Sequence, residues 1–270
     1  MKRAIALGFL AVLLVLGIGS VNVSQDEGSP DWFEAVDVSQ DEISPDRFET
    51  FADWCLNQAS LTPEAQHTVE TLLEEAGTQD CNQAEGRLTH LAELELNGNQ
   101  IVDVSPLASL TNLSQLWLAH NQIVDVTPLT YLTNLPELTL WDNQIEDVSP
   151  LATLTNLTWL NLGANRIADV SSLATLTNLT ALNLGANEIV DVSSLATLTN
   201  LTYLSLPNNG IVDVSPLANL IQLTQLELGT NRIADVSSLA TLTNLTMLGL
   251  EGNPLENRTC PVQPETICWF

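Results

Sequence analysis

Eight asparagines stand 22 residues apart without a break: Asn99, Asn121, Asn143, Asn165, Asn187, Asn209, Asn231 and Asn253. Leucine fills the positions eight, five and three before each of them, as in Leu113, Leu116 and Leu118 ahead of Asn121. An aliphatic residue follows two places after each one, and in the first seven copies Asp comes at plus four and Val at plus five. A unit this short cannot enclose its own leucines, so the copies must stack and share one core, and both ends of the stack need lids. Within each unit the Leu-x-Leu pair reads as a short strand with both leucines inward. The asparagine side chain donates and accepts, which suits it to satisfy backbone groups of the turn as a structural ladder. The return path, for example Asp103-Val104-Ser105-Pro106-Leu107, sets a capping Ser ahead of Pro and predicts a 3-10 or single-turn helix on the outer face.

The unit LTNLTxLxLxxNxIxDVSxLATL carries the leucine-rich-repeat pattern LxxLxLxxN. In its length it resembles the internalin-like class of bacterial leucine-rich-repeat proteins, a class also seen in eukaryotic phosphatase-regulator relatives. The resemblance covers residues 88–255. It implies an α/β repeat fold: a right-handed leucine-rich-repeat solenoid with a concave parallel β-sheet and convex short 3-10 or helical turns, binding partner macromolecules on the concave face without catalysis. No immunoglobulin-like module and no cell-wall sorting tail are expected after the repeats, so the resemblance is not taken to imply surface attachment by the family's route or invasion of host cells.

The flanks read differently. Lys2 and Arg3 precede an apolar run from Ala4 to Ile18, and Gly17, Gly19 and Ser20 offer a cleavage site of small residues, so 1–20 reads as a secretory signal peptide. As a helix the run spans about 22 Å against roughly 30 Å of bilayer hydrocarbon, so no integral membrane segment is expected after cleavage. Residues 21–35 recur nearly unchanged as 36–50, and 21–54 is assigned as an acidic linker whose Trp32, Phe33 and Phe48 are too sparse for a core. Residues 55–87 are expected to form a helical N-terminal cap. Thr62 as N-cap, Pro63, Glu64 and Gly77 punctuate one helix, and Ala65, Val69, Leu72, Leu73 and Ala76 share the face that closes the first repeat. Eight repeats occupy 88–254, and 255–270 is the C-terminal cap.

Cys55 and Cys81 precede the repeats, and Cys260 and Cys268 follow them. An even count suits an exported chain. A stack roughly 35 Å long separates the pairs, whereas a disulfide needs its Cα atoms within about 7 Å, which leaves Cys55–Cys81 and Cys260–Cys268. Neither pair has His or Cys neighbours at zinc-finger spacing, so no metal and no cofactor are expected. The chain is expected to be exported from a bacterium, with secreted, periplasmic and cell-surface destinations all open.

Charge narrows the partners. With 33 acidic against 7 basic side chains the 270-residue chain carries −26, which repels phosphate backbones and anionic lipid, so nucleic acid is not expected to bind. Among the copies, the positions six, four and two before each Asn vary while the leucines do not; strand alternation turns them to solvent. Trp117, Trp141 and Trp159 fall on these positions in consecutive copies, edged by Glu95, His120, Glu137 and Asp142, with Tyr203 as an outlier. Exposed tryptophan with a charged rim is the make-up of an interface hot spot; the alternative is aromatic packing that stiffens the sheet. The recurrent Asp103, Asp125, Asp147, Asp169, Asp191, Asp213 and Asp235 read as turn caps, since one carboxylate per copy is too few for Ca²⁺. Asn156-Leu-Thr and its equivalents match the glycosylation acceptor pattern but arise from the consensus. His67, His90 and His120 have no nucleophile or paired carboxylate at catalytic spacing, so no enzyme is expected. The reading is a monomeric module for a protein partner, with carbohydrate binding or a structural, self-assembling envelope role as alternatives.

Overall fold

Each Leu-x-Leu triplet becomes a three-residue strand: β1 (Glu93–Glu95), β2 (Gln115–Trp117), β3 (Glu137–Thr139), β4 (Trp159–Asn161), β5 (Ala181–Asn183), β6 (Tyr203–Ser205), β7 (Gln225–Glu227) and β8 (Met247–Gly249). A final two-residue strand, β9 (Cys268–Trp269), completes one parallel sheet in the order β1 to β9. The computed structural model describes residues 48–270. The expected signal peptide and residues 21–47 of the expected linker lie outside the described residues. Pairing from β1 to β8 keeps the sequence repeat, so that Glu93 faces Gln115 and Leu94 faces Leu116. The repeated Leu, Ile and Val side chains are buried in one continuous core. Short 3-10 turns return the chain on the outer face, from Ser105–Leu107 to Ser237–Thr241. The architecture is the leucine-rich-repeat solenoid that the repeat pattern implies.

Two asparagine ladders hold the stack, and one aspartate row shapes the outer turns. Asn121 Nδ2 donates to the carbonyls of Leu96 (2.9 Å) and Leu118 (3.0 Å), while its Oδ1 accepts from the backbone N–H of Ile101 at 2.9 Å. The same pattern recurs at Asn143, Asn165, Asn187, Asn209, Asn231 and Asn253, so every one of these side chains stitches its own turn to the preceding repeat. Asn99 has no preceding repeat: its Nδ2 reaches only the Asn97 carbonyl at 3.3 Å. A second row, Asn112, Asn134, Asn156, Asn178, Asn200 and Asn244, donates to a carbonyl one repeat back, as from Asn156 to Thr133 at 2.8 Å. The residues of the glycosylation-like pattern are thus a backbone ladder. Each recurrent Asp accepts from the N–H two residues on at 2.8 Å, the Asx turn that opens the outer return. That backbone N–H is the main reason the carboxyls of Asp169, Asp213 and Asp235 are held below the ordinary aspartate value.

The N-terminal lid has three helices, α1 (Phe51–Leu56), α2 (Pro63–Ala76) and α3 (Cys81–Leu88). Thr62 accepts from the Ala65 N–H, Pro63 starts α2, and Gly77 ends it at φ +64°. Two helices escape the sequence reading. Thr50 and Asp53 form a reciprocal capping box that starts α1, and Asp80 accepts from the N–H groups of Asn82 and Gln83 to start α3. The lid accordingly begins by Phe48 and not at residue 55. Phe48, Phe51 and Trp54 are buried, with the rings of Phe48 and Trp54 4.8 Å apart, so the end of the segment assigned as linker is core. α2 docks on the first repeat: the Thr68 hydroxyl donates to the Asp103 carbonyl at 2.6 Å, and His67 Nε2 lies 2.6 Å from the Asn99 carbonyl. Disulfides Cys55–Cys81 and Cys260–Cys268, with Cα separations of 5.6 and 5.7 Å, tie α1 to α3 and the last loop to β9.

One backbone position is strained. The residue before each ladder asparagine is left-handed: Gly98, His120, Asp142, Ala164, Ala186, Asn208, Thr230 and Gly252 all have φ between +55° and +74°. For an L-residue other than Asn or Asp this costs roughly 1–2 kcal/mol, part of which glycine would return as unfolded-chain entropy. Ala164→Gly is therefore expected to raise unfolding stability by about 0.5–1 kcal/mol. Asn208→Gly should change little. Urea midpoints at unchanged slope measure both; a loss at Ala164→Gly would mean that its methyl packs usefully.

Candidate functional site

The sheet's outward face carries three rows of side chains, six, four and two residues before each ladder asparagine. The register puts Trp117 of β2 between Glu95 of β1 and Thr139 of β3. Trp159 of β4 lies between Glu137 of β3 and Ala181 of β5. Trp141 follows β3 and is 37% exposed. Its seat is built by the neighbouring repeats: a Cβ on Gly163 would lie 2.9 Å from Trp141 Cδ1, so the ring rests on bare backbone. From the other side the His120 ring meets it edge-on, with centroids 4.4 Å apart at 84°. His120 Nδ1 in turn bonds Asp142 Oδ2 at 2.8 Å.

The rest of the rim is hydrogen-bonded but charged. Glu137 Oε2 accepts from Gln115 Nε2 at 2.7 Å, and Glu95 Oε1 accepts from Asn97 Nδ2 at 3.2 Å. Among the described residues no two of Trp117, Trp141 and Trp159 stack on each other. Thr139, on the outward face beside Trp117 in register, is nevertheless only 7% exposed, and its hydroxyl has no hydrogen-bond partner. A buried hydroxyl left unpaired costs free energy. Glu95, Trp117, His120, Glu137, Trp141, Asp142 and Trp159 thus share repeats one to four.

Tyr203 of β6 is half-buried and stands two strands beyond Trp159, with Ala181 between them, so it does not extend this cluster. In the middle repeats the face is used for local turns: Asn161 Oδ1 accepts from the Gly163 N–H and Asn183 Oδ1 from the Gly185 N–H. Pro207 lies just beyond β6, and its carbonyl accepts from the Ala186 N–H at 2.7 Å, so the ladder continues across it. His67 and His90 bond backbone carbonyls, and among the described residues no three His, Cys, Asp or Glu side chains are grouped to hold a metal ion. No helix among the described residues is long and apolar enough to cross a membrane.

Sequence reasoning missed the other end of the face. Trp269, on β9, pairs with Gly249 and so enters the same outward row as Trp117 and Glu227, with Phe270 beside it. The signal was the apolar run Ile267 to Phe270, which puts Cys268 toward the core and Trp269 outward.

Comparison with known proteins agrees with this architecture. The family model described as leucine-rich repeats (two copies) matches residues 89–131, 133–174, 155–197 and 199–241. The chain is similar to the crystal structure of internalin C2 from Listeria monocytogenes, at 36% identity and TM-score 0.67, over 74% of this chain and 89% of that one. It is also similar to an internalin, product of inlF, from the same organism, at 38% identity and TM-score 0.56, over 65% of this chain and 58% of that one. A leucine-rich-repeat protein of Leptospira interrogans matches at 30% identity and TM-score 0.61, over 67% and 47%. No curated protein sequence matches. The chain belongs to the leucine-rich-repeat family, in its internalin-like bacterial class. Its fold is in general that of a protein-interaction module.

Proposed function

We propose that this chain is an exported binding module whose concave face recognises a protein partner through Trp117, Trp141 and Trp159, with Glu95, His120, Glu137 and Asp142 as its rim. One observation carries the reading: Trp141 is seated between a bare glycine and the His120 imidazole, yet remains 37% exposed to solvent. A ring positioned at such cost to sequence freedom, beside two further outward tryptophans, supplies large rigid contact area at low entropy loss. The two disulfides support export, since such bonds persist in oxidising compartments. No catalysis and no cofactor are part of the proposal.

The test is affinity capture from the producing organism's exported and surface fraction, with the wild-type chain beside a folded Trp117→Ala, Trp141→Ala, Trp159→Ala variant. A partner held by the first and lost by the second is expected. Trp141→Ala alone should weaken that partner by about 2 kcal/mol, roughly thirtyfold. Equal capture by both would move the site elsewhere. Glycan binding without a protein partner would replace the proposal by a carbohydrate reading, and concentration-dependent oligomers indifferent to the three substitutions would replace it by self-assembly.

A further inference from the structure

The C-terminal end of the outward face forms an open groove of about 500 Å³, walled by Pro207, Met247, Trp269 and Phe270 and by the carboxylates of Glu227 and Glu251. This lies in the range of small-ligand clefts, roughly 300–1,000 Å³. Trp269 is 65% exposed and Phe270 38%. Two missing side chains shape the floor. A Cβ on Gly229 would fall 2.7 Å from Glu251 Oε1, and one on Gly249 would lie 3.3 Å from Glu251 Oε2, so the Glu251 carboxylate rests across both glycines. Glu227 Oε2 accepts from the Ser205 hydroxyl at 2.8 Å.

Among the described residues neither carboxylate has a cationic partner: the contacts between basic and acidic side chains are the His120–Asp142 hydrogen bond and the Arg166–Glu146 ion pair, both outside this groove. Two uncompensated negative charges therefore share a groove with two exposed aromatic faces and two apolar side chains. Carboxylates beside low-dielectric walls attract a cation more strongly than those on open surface. Aromatic faces add cation–π attraction, strongest for a planar guanidinium, and apolar walls cover an aliphatic stem. Arginine combines all three features.

We propose that this groove seats an arginine side chain of a partner polypeptide, its guanidinium held between Glu227, Glu251 and the Trp269 ring and its stem along Met247 and Pro207. The assignment rests on the protein-recognition reading for the partner's being a polypeptide, but it concerns a different end of the face. It gives the acidic chain a specific use for two of its charges, in place of diffuse attraction to anything basic.

The test titrates the isotope-labelled chain with the pentapeptide Gly-Ser-Arg-Ser-Gly, blocked at both ends, and with its Gln counterpart, following the indole N–H signals by NMR. The expected result is a saturable shift of the Trp269 signal with the arginine peptide and none with the glutamine peptide. Glu227→Gln with Glu251→Gln should weaken the titration about tenfold, and so should Trp269→Ala, followed through the Met247 methyl. The glutamine pair keeps the shape and one acceptor oxygen on each side chain, so it remains informative if Trp269→Ala disturbs β9. Equal shifts with both peptides, or a response spread over the whole acidic surface and insensitive to these substitutions, would overturn the proposal. Replacing Trp117, Trp141 and Trp159 together should leave this titration unchanged, so failure of the N-terminal cluster as a binding site and failure of this groove give different results. A saturable shift confined to those three indoles would place the cation site at the other end of the face.

Discussion

Replacing Asn187 by Ala is expected to lower the unfolding free energy by about 3 kcal/mol. The side chain donates to the carbonyls of Leu162 and Leu184 at 3.0 and 3.1 Å and accepts from the Ile167 N–H at 3.0 Å. Ile167 is fully buried, so water cannot replace the lost acceptor, and an orphaned buried N–H alone costs about 1–3 kcal/mol. The lost bonds to two carbonyls place the total at the upper end. Asn99→Ala is the internal control. Its single weak bond, 3.3 Å to the Asn97 carbonyl, predicts a loss below about 1 kcal/mol. Urea unfolding of the two variants decides the matter, because equal losses would mean that the ladder contributes nothing beyond the side chain's bulk. Hydrogen exchange adds a spatial check. In a stack where each repeat touches only its neighbours, the faster exchange in Asn187→Ala should centre on the Ile167 turn and fade within a few repeats.

The contrast between Asn187 and Asn99 also shows what a sequence of this kind reveals. The eight asparagines are identical in the pattern, and the pattern reports the demand of a shared core, which is the same at every copy. The strands, the outer turns and the inward leucines were legible for that reason. What depends on a neighbour that is not a copy was not legible. Asn99 has the helical lid before it instead of a repeat, and His67 takes its carbonyl. α1 and α3 were missed because each is a single short element with no period, and because Phe48, Phe51 and Trp54 sit at the end of an acidic stretch that masks them. β9 was missed because it joins the sheet at an offset of 20 residues, Leu248 to Cys268, outside the 22-residue ruler.

The outward face follows the same division. Which side chains leave the core could be read from strand alternation, so the outward placement of Trp117, Trp141 and Trp159 was legible. Their support could not. The rest of Trp141 on Gly163, one repeat later, and against His120, one repeat earlier, depends on rotamers and on the twist between units. The burial of Thr139 likewise depends on how neighbouring side chains fold over it. A repeat array writes its scaffold in every copy and its binding surface in the differences between copies, and those differences have no internal standard to be read against.

Removing the Cys55–Cys81 bridge by double substitution with Ser is expected to cost about 3.5 kcal/mol, the loop-closure value for the 26-residue separation. The loss should not spread evenly. The bridge joins α1 to α3, and α2, packed with both, covers the open end of the core, where Leu94, Leu96 and Ile101 of the first repeat are buried. When the lid loosens, those side chains meet water first, so amide exchange should quicken in β1 and β2 while β5 and β6 keep their protection. The bridge at the other end closes only 8 residues, and its removal should cost about 2.5 kcal/mol, with the quickening confined to β8 and β9. Stability and exchange measured on the two double-Ser variants therefore test one mechanism twice, with the order of the losses and their opposite locations both fixed in advance. Uniform loss of protection along the whole array in either variant would show that the stack unfolds as a single unit and that the lids do not act locally.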